Sequence, residues 1–169
     1  MQLAQELKYS ECDDTGEEFR QRLIRVFDTK HPYCTIDELV CRPRDAMKYA
    51  DAVRSDAKCK TLSDYIILQS AMNFRKRKKW PTGMKKEITR TNFNRALADA
   101  GYPGDRDAFR EFTIDCLASM YKSLSVDHIT CYPRQALALC NFVRDHSGCT
   151  NLSDELILRA IQGNRKNPQ

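Results

Sequence analysis

The sequence predicts an all-α protein of two similar helical units joined by a short basic linker, and three observations carry that expectation. Apolar residues recur every three to four positions, and no stretch alternates as a strand would. Prolines, serines and threonines stand where helix starts favour them. The chain also matches itself at a constant shift of 90 residues, from Phe19-Arg20 over Phe109-Arg110 to Arg75-Lys76 over Arg165-Lys166, without a gap.

The shift lays Leu3 and Leu7 on Phe93 and Leu97, so the repeat is expected to include a first helix and to occupy about 1–77 and 91–169, with 78–90 as the linker. The next helix carries Phe19, Leu23, Val26 and Phe27 on one face, against Phe109, Phe112, Cys116, Leu117 and Met120 in its counterpart. Thr35-Ile36-Asp37-Glu38 and Ser125-Val126-Asp127-His128 read as N-caps that each open a very short helix. Pro43 and Pro133 then begin a longer helix, striped by Ala46, Tyr49, Ala50 and Val53 or by Ala136, Leu139, Cys140 and Val143. Ser63 and Ser153 cap a last helix that carries Ile67, Ala71 and Phe74, or Ile157, Ala160 and Ile161. That makes four to five helices per unit. Because a unit of under about eighty residues is only marginally stable alone, the two are expected to pack about a pseudo-twofold axis.

Composition narrows the function classes. With 41% hydrophobic and 30% charged residues, and a mean hydropathy of −0.62, the 169-residue chain is neither a membrane span nor wholly disordered. Glu6 and Lys8 fall inside what would be the apolar core of a leader peptide, which points to a cytoplasmic protein with reduced thiols. None of the eight cysteines forms a Cys-x-x-Cys knuckle. The nearest approach to ligand spacing, His128-x-x-Cys131 and His146-x-x-Cys149 around Cys140, is only partly repeated, and no metal or cofactor is expected. The three histidines do not match across the repeat, and no glycine-rich phosphate loop, serine elbow or His-Glu-x-x-His occurs, so an enzyme is not expected.

The net charge of +5 is unevenly placed. Residues 75–90 hold eight cations, Arg75, Lys76, Arg77, Lys78, Lys79, Lys85, Lys86 and Arg90, against Glu87, a net +7. The rest of the chain, 20 basic against 22 acidic residues, sums to −2. Three roles fit such a run: phosphate binding with Trp80 stacking on a base, contact with an anionic membrane surface, or a solvated helix end whose cations suit the C-terminal dipole.

Arg44 and Arg134 recur one residue after the proline, in the positive first turn of a helix, where a cation is unfavourable by roughly 0.3–1 kcal/mol without an anionic partner. Either an internal carboxylate, Asp37 with Asp127 or Asp64 with Asp154, compensates it, or an external phosphate does. A short capped helix, a tight turn and a longer helix also make a helix-turn-helix-like layout. The sequence therefore favours a non-enzymatic binding module for nucleic acid, with Arg44, Arg134, Arg75–Lys79, Trp80, Lys85 and Lys86 as contacts. A protein-interaction or scaffold module is the alternative, and a redox sensor using Cys41 and Cys131 is the third.

Overall fold

The computed structural model describes residues 2–81 and 93–162, and these contain nine α-helices, one 3₁₀ turn and no strand. The chain divides into two compact units, one of Met1–Val40 with Arg44–Glu87 and one of Cys41–Pro43 with Ile88–Gln169.

In the first unit the helices are α1 (Leu3–Tyr9), α2 (Gly16–Lys30), α3 (Ile36–Val40), α4 (Pro43–Ala57) and α5 (Asp64–Lys76). α2 starts at a reciprocal capping box: Thr15 Oγ1 accepts from the Glu18 amide while the Glu18 carboxylate accepts from the Thr15 amide. Its stripe Phe19, Leu23, Val26 and Phe27 is buried, and so is the stripe Ala46, Tyr49, Ala50 and Val53 of α4. Tyr49 is wholly buried because its hydroxyl donates to the Leu23 carbonyl at 2.8 Å, which leaves no orphaned polar atom. α5 packs on α1, α2 and α3, and burying each large apolar side chain contributes roughly 1.5–3 kcal/mol.

The second unit contains α6 (Phe93–Asp99), α7 (Arg106–Met120), a 3₁₀ turn (Ile129–Cys131), α8 (Pro133–Ser147) and α9 (Asp154–Gln162). The starts of α6, α7, α8 and α9 lie 90 residues after those of α1, α2, α4 and α5. Ser63 and Ser153 each accept from the amide three residues on, both at 3.1 Å. α7, α8 and α9 pack on one another around Phe109, Leu139, Cys140, Val143 and Ile157.

Two expectations need correction. Phe112 and Met120 of α7 are only half-buried, and Thr113 takes the inner position, its hydroxyl donating to the Arg110 carbonyl at 2.8 Å. The short helix expected after Ser125 is a turn that runs into the 3₁₀ turn. Thr35 Oγ1 caps its helix by accepting from the Glu38 amide at 3.2 Å, but Ser125 Oγ lies 3.1 Å from the imidazole of His128, which stands where the first unit has glutamate. With the cap diverted, the backbone closes through three-residue bonds, Cys131 to the His128 carbonyl and Tyr132 to the Ile129 carbonyl.

Candidate nucleic-acid interface

The basic run begins inside a helix and leaves it through a fixed hook. α5 ends at Lys76, Arg77 donates its amide to the Asn73 carbonyl, and Lys78 takes a left-handed conformation at φ 59°. The Lys79 amide then returns to the Phe74 carbonyl at 2.8 Å, closing the helix end in a Schellman-type cap. Arg20 of α2 donates to the Lys79 carbonyl at 2.7 Å. Trp80, only 9% exposed, packs edge-on against Phe27 with ring centroids 5.5 Å apart.

This geometry pins the backbone of the run while leaving its cations outside. Arg75 pairs with Asp37 of α3, and Arg75, Lys76, Arg77, Lys78 and Lys79 are all exposed. Lys76, Arg77 and Lys78 make no ion pair with another described residue. The Glu17 carboxyl is held down at about 2, first by the hydrogen bond from Arg20, then by that from Gln21, with the charges of Arg20 and Lys79 adding to it. Trp80 is thus a core side chain, and the expectation that it offers a face to a base is corrected: its ring fills the space beside Phe27 instead. Lys85 and Lys86, with Arg90, lie outside the described residues.

Arg44 and Arg134 are both exposed at the first turns of α4 and α8. Three of the four carboxylates expected beside them hold other arginines: Asp37 holds Arg75, while Asp64 and Asp154 hold Arg54 at 2.7 Å and Arg144 at 2.8 Å. The reason is distance along the helix. Arg54 lies ten residues, about 15 Å, beyond Arg44, at the end where the chain returns through Leu62 to Asp64. Each of the two clamps also donates to a carbonyl, Leu62 at 3.0 Å or Leu152 at 2.9 Å, and to Asp51 or Asn141 on its own helix. The sequence carried this signal, since arginine and aspartate recur ten residues apart in both halves.

The outward face of α4 is close to neutral. Arg44 and Lys48 are set against Asp51 and Asp56, and Asp56 already accepts from Arg22 and Arg25. Burial alone raises the Asp56 carboxyl, but the hydrogen bonds from Arg22 and Arg25 outweigh it and leave the group below its ordinary value.

Cys41 and Cys131 are buried, at 1% and 2% exposure, and all eight cysteines are free thiols. Burial pushes the Cys12, Cys116 and Cys140 thiols up, away from the thiolate form. Among the described residues no group of three or more His, Cys, Asp or Glu is arranged to hold a metal ion. His146 stacks on Phe142 with ring centroids 3.8 Å apart, and His31 packs edge-on to Tyr49. The second unit has a cleft of about 420 Å³ between α6 and α9, lined in part by Phe93, Ala96 and Leu156 and bordered by the Glu155–Arg159 ion pair.

The molecule is thus an all-helical protein with no helix among the described residues long and apolar enough to cross a membrane. Comparison with protein-family models, with curated proteins and with solved structures finds no match.

Proposed function

We propose that the chain is a non-enzymatic, cytoplasmic helical module, built by internal duplication of one unit, that binds nucleic acid through the cationic end of α5. Arg44 and Arg134 serve as accessory phosphate contacts, and Lys85 and Lys86 extend the basic run. The observation that carries this reading is a rigid backbone under unneutralised charge. The Schellman-type cap, the Arg20 bond and the buried Trp80 fix the path of residues 75–80, while Lys76, Arg77 and Lys78 remain exposed without an ion pair among the described residues. A helix end that only needed to satisfy its dipole has no use for so many cations. Duplication is supported by the helix starts 90 residues apart and by the matching serine caps and arginine clamps.

Fluorescence anisotropy with labelled nucleic acid tests the proposal. Binding is expected at low salt and should weaken as a power of salt concentration, because each neutralised phosphate releases counterions. No binding at about 20 mM salt sinks it. The second reading, a protein-interaction module, draws on the cleft between α6 and α9. Against it, the exposed large apolar side chains among the described residues are Tyr9 and Tyr33, which stand on different segments and form no common element.

A further inference from the structure

The proposal above leaves open which form of nucleic acid is bound, and the inference here rests on that proposal. We propose that the cationic end of α5 takes the phosphate backbone of a double-stranded nucleic acid, without base stacking and without sequence preference. Proteins that hold single strands combine a basic groove with aromatic side chains on which bases stack, each worth about 1–3 kcal/mol. The aromatic side chain within the cationic run is Trp80, and it is not available. It is buried on Phe27, which itself packs edge-on to Tyr49, and the backbone just before it is tied by the Lys79–Phe74 and Arg20–Lys79 bonds. Turning the indole outward would break those ties and empty part of the core. The sequence from 81 to 92 contains no aromatic residue.

Charge density points the same way. Arg75–Lys79 occupy one helical turn and its cap, an axial length of roughly 6–8 Å. A duplex presents one phosphate per about 1.7 Å of axis, twice the density of either of its strands, so a compact cluster neutralises more charge on a duplex. Such contacts read no base edges and fix only position.

The full chain is titrated by anisotropy against labelled duplex DNA and duplex RNA of about 20 base pairs, oligo(dT) of the same length, and phosphatidylserine vesicles, with Trp80 emission followed in parallel. The duplexes should bind at least about fivefold more tightly than oligo(dT), within about twofold of one another across unrelated sequences. The plot of log K against log salt should have a slope of about −3. Trp80 emission should not change at saturation. A triple variant, Arg77→Gln, Lys78→Asn and Lys79→Gln, should lose at least about tenfold in duplex affinity and most of the slope while keeping the wild-type circular dichroism. Equal or tighter binding to oligo(dT) accompanied by quenching of Trp80 overturns the duplex assignment, as does a triple variant that keeps its affinity. Binding to vesicles but to no nucleic acid overturns the parent proposal itself, so the two failures are told apart.

Discussion

Two positions 90 residues apart hold the same left-handed backbone geometry with different residues, and substituting them in opposite directions should move stability in opposite directions. Lys58 closes α4 at φ 53°, and Gly148 closes α8 at φ 73°. An L-residue held in the left-handed region costs about 1–2 kcal/mol, which glycine avoids. Glycine in turn costs about 0.5–1 kcal/mol more chain entropy on folding, and replacing Lys58 forfeits on the order of 0.3 kcal/mol of favourable interaction of its charge with the helix C-terminus. Lys58→Gly should therefore stabilise its unit by about 0.5 kcal/mol, whereas Gly148→Ala should destabilise its own by about 1 kcal/mol. No atom lies within 4 Å of the added Cβ at Gly148, so the effect there is conformational rather than steric. Urea denaturation measures both. Trp80, the single tryptophan, is buried in the first unit and reports on it, while circular dichroism follows the helices throughout. At an m-value of about 1–3 kcal/mol per molar urea, the Lys58→Gly midpoint should rise by about 0.2–0.5 M. A fall in that midpoint, or a rise for Gly148→Ala, would refute the reasoning.

Further outcomes follow from the side-chain network. Arg54→Met and Arg144→Met each remove a guanidinium that bonds both a carboxylate and a carbonyl, and each should cost about 1.5–3 kcal/mol in urea denaturation. The two costs should match within about 1 kcal/mol if the clamps are equivalent. Because the folded-state pKa of Asp56 lies below its unfolded value, its contribution is fully present above about pH 4 and is lost as pH falls through the folded value. Asp56→Asn should accordingly flatten the acid limb of a stability–pH curve, and an unchanged limb would contradict the Arg22–Asp56–Arg25 arrangement. With seven cysteines buried and Cys34 half-buried, a thiol reagent should label about one site quickly in the native chain and all eight after unfolding; fast labelling of Cys41 or Cys131 would support the redox reading instead.

Much of the fold was legible because the long helices carry an apolar stripe at the helical period. Phe19, Leu23, Val26 and Phe27, or Ala136, Leu139, Cys140 and Val143, face inward as their spacing requires. The 3₁₀ turn was not legible, because it turns on one side chain: His128 draws Ser125 away from the backbone that Thr35 caps in the first unit. Trp80 was misread because an aromatic next to a cation run is compatible with both a stacking face and a core contact, and only the hook at Lys78 decides between them. The arginines were half legible. Recurrence at Arg54 and Arg144 is explained by recurring aspartates, but pairing those aspartates with Arg44 and Arg134 ignored the roughly 15 Å of helix between the two positions.

Recurrence within the chain therefore separates two kinds of cation. Arg54 and Arg144 recur together with the carboxylates and carbonyls that hold them, so both positions answer to the demands of folding. Arg77, Lys78 and Lys79 do not recur: the matching positions are Asn167, Pro168 and Gln169. A residue required by a local geometry that both units share should stand at both positions of a 90-residue pair, and these three stand at one. They are carried on a backbone fixed by Trp80 and Arg20, so the cost of ordering them is met by the core before any partner arrives. If that is why they are there, substituting the three should leave the unfolding free energy of the first unit, from urea denaturation, within about 0.5 kcal/mol of wild type. Removing Trp80 should disorder the hook and weaken both stability and binding. Trp80→Ala is expected to cost about 3–5 kcal/mol as a core truncation, and Trp80→Phe, which keeps a ring against Phe27, should restore most of the duplex affinity. A triple variant as destabilised as Trp80→Ala would return these cations to the fold and remove the argument that they serve a ligand.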